Sequence, residues 1–167
     1  MIGIDIKPVK LKAFQTRYIK FIHKFPAIIK KGLDQSAEQL KTIILLRTQG
    51  GKDFRNRRFT QYSDAYSELK GKTKVDLEDT NKMLQSIESR VLNRNRSVVR
   101  FRNPREATKA MFHQIGAGNL PVRRFFDFSK KTEKVIQKQF EHFIKKEMKK
   151  FNVWAKEKTS QIILFQQ

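Results

Sequence analysis

A chain of 167 residues fits one domain, and 38% apolar with 11% aromatic residues supplies a core that stays modest because 32% are charged. The formal net charge of +21 comes from 37 Lys and Arg against 16 Asp and Glu. Unless lysine merely covers the surface, charge on that scale calls for nucleic acid, an acidic protein surface or anionic lipid to neutralise it. The lack of cysteine excludes disulfides, thiolate nucleophiles and zinc–thiolate sites. No apolar run approaches the ~18 residues that cross a bilayer. Residues 1–10 lack the layout of a secretory leader, so the expectation is a soluble protein kept in a cytoplasm.

Ile2, Ile4 and Ile6 alternate with other residues, which suits a short strand or an extended arm. Pro8 can open a helix, since a missing N–H is harmless in the first turn. Leu11, Phe14, Tyr18, Phe21 and Phe25 then recur at three- and four-residue steps, one face of an amphipathic helix. Phe25-Pro26 should interrupt or kink it, because a residue before proline is pushed out of the α region. A second helical pattern runs through Ile29, Leu33, Ala37, Leu40 and Ile44 to about Arg47, weakened early by Gly32 and stopped by Gly50-Gly51.

Residues 50–71 read as a long basic, aromatic loop. Loops of that length inside a domain are functional or disordered, and Phe54, Phe59, Tyr62 and Tyr66 do not suit a solvated linker. The expectation is a loop ordered by a partner, a neighbouring copy of the same chain. Order resumes at Val75-Asp76-Leu77, and Asp79 or Thr80 can cap a short helix through Met83 and Leu84.

A hairpin follows over residues 86–102. Val91 and Leu92 stand on one arm, Val98, Val99 and Phe101 on the other, with a turn at residues 93–96 where Asn93 and Asn95 tolerate positive φ. Period two puts Val99 and Phe101 on one face and Arg100 and Arg102 on the other. Residues 106–115 form a short helix ended by Gly116. Residues 122–128 are extended and carry three phenylalanines. Ser129 caps a last helix whose stripe is Val135, Ile136, Phe140, Phe143, Ile144 and Met148. The tail, with Trp154 and the run Ile162, Ile163, Leu164 and Phe165, is a late strand or an arm that binds elsewhere. The elements define an α+β fold: long N-terminal and C-terminal helices packed on a small antiparallel sheet, with residues 1–150 as the domain and 151–167 as a tail or arm.

Chemistry-bearing patterns are sparse. His23, His113 and His142 sit in different helices without ligand-like spacing, so no metal or cofactor is expected; His113 is expected to hydrogen-bond at the turn into Gly116. Asp53 followed by Glu68 and Lys70 imitates a metal-nuclease D…E-x-K pattern, in which carboxylates hold Mg²⁺. Glu147 and Lys149 match that pattern equally well, and no catalytic residues are assigned. The basic stretches are better candidates. Lys52, Arg55, Arg57 and Arg58, and Arg94, Arg96, Arg100 and Arg102, are placed to face DNA or an acidic partner, the plain alternative being charge that keeps exposed strands soluble.

From about residue 39 to 150 the chain resembles the bacteriophage virion morphogenesis or tail completion proteins, a group overlapping the head–tail joining (neck) proteins. An F-x-x-Y-S segment is matched by Phe59, Tyr62 and Ser63, and a V-x-L-x-x-T segment by Val75, Leu77 and Thr80. An A-x-x-H-x-x-G turn is matched by Ala110, His113 and Gly116, and a P-x-R-x-F segment by Pro121, Arg123 and Phe125. Asn81 replaces the glycine such proteins often carry after the threonine, and fits a left-handed position. The resemblance implies a structural virion protein without catalytic residues or cofactor. It would form a homo-oligomeric ring that completes the tail and joins it to the capsid connector around the DNA channel. Its partners would be the portal or connector and the tail tube or tail terminator proteins, with non-specific contact to packaged DNA and none to membrane. Each copy in a ring meets its neighbour through two different surfaces. The expected surfaces are the loop over 50–71 and the segment after Pro121, through Phe54, Phe59, Tyr62, Tyr66, Arg123, Phe125 and Phe126. The alternatives are a stand-alone basic DNA-binding protein and the metal-dependent nuclease.

Overall fold

The computed structural model describes residues 8–78 and 80–151, with side chains from residue 12 onward. The expected N-terminal arm, the candidate cap Asp79 and the apolar tail from Asn152 lie outside the described residues.

The first element, α1 (Pro8–Gln49), is one helix of 42 residues with Pro26 inside it. The expected interruption at Phe25-Pro26 is therefore corrected. Proline removes one helical hydrogen bond and clashes with the preceding turn, at about 3 kcal/mol. The helix tolerates this because one partner splints both sides of the proline. That partner is the last helix, α5 (Lys130–Lys150). The Phe21 ring meets Phe151 at 5.6 Å, while on the far side of Pro26 Gly32 lies against Phe140 and Phe143. The two helices thus run antiparallel. Gly32 is more than a weak point: a Cβ there would come within 2.8 Å of the Phe140 ring and 3.0 Å of Phe143. Ser129 caps α5 as its position suggested, its Oγ accepting the Thr132 N–H at 3.3 Å.

The second half of α1 lies on the hairpin β1 (Ile87–Asn93) and β2 (Arg96–Phe101), paired antiparallel from Ile87–Phe101 to Asn93–Arg96. Ser89 Oγ donates to Glu38 Oε2 at 2.6 Å, fixing the sheet against the helix. The turn holds through the Asn93 side chain, which accepts the Asn95 N–H at 2.9 Å. Neither asparagine takes the positive φ foreseen for it; among non-glycine described residues that conformation falls to Asn56, Leu77 and Asn81.

Three short helices complete the α+β fold. The first, α2 (Asp64–Lys70), lies inside the stretch read as loop. Next, α3 (Lys82–Gln85) starts from Asn81 at φ 58°, so the cap is Asn81 rather than Thr80, and Asn81 takes the left-handed position. Then α4 (Pro104–Ile115) is opened by Asn103, whose side chain accepts the Arg105 N–H, and closed by Gly116 at φ 71°. Ile44, Phe59, Val75, Leu77, Met83, Leu84, Ile87, Ala110 and Phe125 form one core cluster, so irregular segments contribute as much to it as helices do.

Candidate functional site

The 50–71 stretch is ordered by its own chain, which corrects the expectation that it waits for a partner. Gly50-Gly51 end α1, and Lys52 bridges back to Arg58. The loop closes on Asp53: Oδ1 accepts the backbone N–H groups of Arg55 and Arg57, both at 2.8 Å, and Oδ2 accepts Arg57 Nε at 2.9 Å. Burial alone would raise the Asp53 pKa, but the hydrogen bonds from Arg57 and Arg55 outweigh it and hold the carboxyl below its ordinary range.

Two buried arginines pin this loop to the rest of the domain. Arg47, in the last turn of α1, donates Nη2 to the carbonyls of Phe125 at 2.7 Å and Asp127 at 2.6 Å, and Nη1 to that of Phe54 at 3.3 Å. Arg123 comes from the opposite direction. Its Nε and Nη2 reach the Thr60 carbonyl at 3.3 and 3.0 Å, Nη2 reaches Gln61 at 3.5 Å, and its guanidinium lies 5.1 Å from the centre of the Tyr62 ring. Burial pushes both guanidinium pKa values down, offset for Arg47 by Asp53 and Asp127 and for Arg123 by Tyr62 and Tyr66. Arginine stays charged under such shifts, so each remains a cation inside the protein.

Beside Arg123 opens a cleft of about 370 Å³ between the 61–70 segment and residues 119–123. Tyr62 and Tyr66 meet edge to face at 4.9 Å on one wall, and Leu120 and Pro121 form the other. Lys70 reaches in from α2. Its ammonium donates to the Tyr62 hydroxyl and to Asp76 Oδ1, both at 3.0 Å, while Lys72 reaches Asp76 Oδ2 at 3.3 Å. Burial works against the Lys70 charge, but the bonds to Tyr62 and Asp76 together raise its pKa. Asp76 moves the other way: burial favours the neutral acid, yet the Glu78 N–H and the two lysines lower its pKa.

His113 of α4 closes the back of the cleft. Its backbone carbonyl accepts the Arg123 N–H at 2.7 Å, while the turn into Gly116 is held by the Phe112 carbonyl, which accepts the Gly116 N–H at 2.8 Å, so the expected His113 bond at that turn is corrected. The ring Nδ1 is buried with no hydrogen-bond partner. Burial, then the charges of Arg123 and Lys70, hold the imidazole below its ordinary pKa.

The expected interface residues separate into three groups. Phe59, Arg123 and Phe125 are buried inside the monomer, Phe125 completely, so they are corrected from surface to core. Phe54, Tyr62 and Phe126 are half-buried. Phe126 packs on Phe101 at 4.6 Å while the Gln114 side chain bonds both its N–H and its carbonyl. Only Tyr66 of the seven is exposed. The eight expected DNA-facing cations are all exposed. Arg57 pairs with Asp53 at 2.8 Å and Arg100 with Glu88 at 2.9 Å. The structure does not bring the eight together. Lys52, Arg55, Arg57 and Arg58 follow the end of α1, Arg94 and Arg96 lie at the turn of the hairpin, and Arg100 and Arg102 lie toward its open end, up to about 20 Å from the turn at 3.3 Å per residue.

The nuclease pattern is taken apart. Asp53 shapes its loop, Lys70 is bound to Asp76, and Glu68 is exposed on α2. Among the described residues no group of three His, Asp or Glu could hold a metal, and no helix is long and apolar enough to cross a membrane. Sequence reasoning passed over Arg47 and Asp76. Arg47 stands three residues after Ile44 on the buried stripe, and Asp76 is a lone acid between two apolar residues; those positions were the available signals. Comparison with models of protein families, with curated proteins and with solved structures finds no match to this chain.

Proposed function

We propose that the chain is a structural protein of a phage neck or tail top, forming a ring that completes the tail and joins it to the capsid connector around the DNA channel. One observation carries the reading. The four short segments behind the resemblance, spread over residues 59–125, converge on one place. Phe59, Val75, Leu77, Ala110 and Phe125 share the core cluster. Arg123 covers Tyr62, its N–H bonds the His113 carbonyl, and Asn81 adopts the left-handed conformation open to glycine. The reading assigns the chain no catalytic step and no cofactor.

The burial of Phe59, Arg123 and Phe125 moves the proposed subunit contact outward, to the outer face of α2. There Tyr66 is exposed and Leu69 is 85% exposed, an apolar side chain without cover from the described residues. Heterologous contact through that face and a different surface of the neighbour closes a ring. The substitution Leu69→Ser tests it, since that side chain is 85% exposed and supports nothing in the described core. The expected result is a monomer with unchanged thermal unfolding that no longer forms rings, and particles that package DNA but lack tails. Rings that form normally in that variant overturn the contact. Tight, steeply salt-dependent duplex binding by the isolated chain overturns the neck reading in favour of a free DNA-binding protein.

A further inference from the structure

We propose that the cleft beside Arg123 is a carboxylate-binding site that takes an aspartate or glutamate side chain from an acidic segment of a partner protein. The proposal holds whether or not the chain is a neck protein. Its centre is a buried cation without an anion. Arg123 is 3% exposed, its bonds run to neutral carbonyls through Nε and Nη2, and among the described residues no carboxylate pairs with it. Lys70 in the same cleft differs, because Asp76 neutralises it at 3.0 Å. The cleft therefore keeps one uncompensated positive charge, and in a low-dielectric setting such a charge is costly until an anion reaches it.

The rest of the cleft suits a side chain bearing that anion. The Nη1 edge of Arg123 is not used by the carbonyl bonds, and a planar guanidinium matches the two oxygens of a carboxylate. His113 lines the same cleft with its Nδ1 enclosed by the protein, so its ring senses a charge in the cleft without touching the ligand through that atom. Tyr66, Leu77, Leu120 and Pro121 offer apolar walls to the methylenes that carry the acid. A volume of about 370 Å³ lies in the range of small specific pockets. A duplex phosphate fits less well. Both cleft cations are recessed, whereas a nucleic-acid backbone meets exposed ones such as Arg55, Arg58 and Arg94. The charge of +21 steers an acidic segment toward the molecule from a distance.

Proton linkage gives the site a signature. The titratable groups facing His113 across the cleft are Tyr62, Tyr66 and Lys70 from one segment and Arg123 from the other. Burial first, then the two cations, hold its pKa down; an anion between them cancels part of that repulsion. Binding then takes up a proton, so affinity rises as pH falls through the range in which the imidazole titrates.

The test uses the full chain with N-acetyl-glutamate amide as probe, N-acetyl-glutamine amide as its neutral isostere and inorganic phosphate as a competing anion. The His113 ring nitrogens and the Tyr66 amide are followed by NMR. The glutamate probe should shift both saturably, with a dissociation constant of about 1 to 10 mM for so small a ligand. It should raise the His113 pKa. The glutamine isostere should bind about tenfold more weakly or not at all. Arg123→Lys, which keeps the charge and loses the fork, should weaken glutamate binding about tenfold. His113→Gln should retain binding at the Tyr66 amide and lose its pH dependence. Equal responses to glutamate and glutamine, or none to either, overturn the proposal, and so does a response to phosphate stronger than to glutamate. If Arg123→Lys does not fold, the contrast between probes on the unaltered chain decides.

Discussion

In the first half of α1 only Phe21 and Ile28 among the described residues are buried, while Phe14, Tyr18, Ile19 and Ile22 stand between 45% and 54% exposed. In the second half Ala37 and Ile44 are buried and Thr48 is fully enclosed, with Leu46 left on the outer side. Both halves carry apolar residues at helical spacing, and both continue through Pro26 as one helix. They differ in what the other described residues bring to them. The first half receives the end of α5, where Phe151 reaches Phe21. The second receives the hairpin, the Phe59 loop, the 75–77 segment and Phe125. Periodicity chooses which face of a helix can be buried; the number of partners decides whether it is.

Three substitutions sharpen that comparison. The largest effect belongs to the enclosed half: Ile44→Ala should destabilise the domain by about 2 to 5 kcal/mol, read from the shift of the chemical denaturation midpoint at unchanged slope. A loss below about 1 kcal/mol would mean that the core closes over the missing atoms and that partner number is not what stabilises this half. Gly32→Ala acts at the joint. Alanine favours a helix over glycine by about 1 kcal/mol, but here its Cβ meets the Phe140 ring, and overpacking costs about 1 to 3 kcal/mol. Hydrogen exchange should quicken in α5 while the hairpin keeps its protection; a stabilised protein would show that the two helices do not pack as closely as 2.8 Å requires. The smallest effect is expected in the open half, where Tyr18→Ser should change stability by no more than about 0.5 kcal/mol in a thermal scan. A larger loss would reveal that this face is covered.

Local features were legible wherever a side chain acts on its own neighbourhood. Ser129 capping α5, Gly116 closing α4 and the hairpin all follow from short-range chemistry, and the structure contains each. The continuity of α1 through Pro26 is not legible locally, because the cost of Pro26 is local while the compensation comes from Phe140, Phe143 and Phe151, more than 100 positions away in the chain. The candidate site was half legible. Tyr62, Tyr66 and Arg123 stood out as aromatic and cationic residues, but their burial and their meeting with Lys70 and His113 did not.

Taken alone, the amino-acid order settled the α+β class, the helical stripes, most of the caps and a large unbalanced positive charge, because each depends on residues within a turn or two of one another or on simple summation. Only the folded chain decided that Phe59 and Phe125 belong to the core, that Arg47 and Arg123 are internal fasteners, and that one of these cations faces a cleft in which no described residue supplies an anion. Burial is a property of segments meeting across 60 to 80 residues, as in the bonds from Arg123 to Thr60 and from Arg47 to Phe125, and no local pattern encodes that meeting.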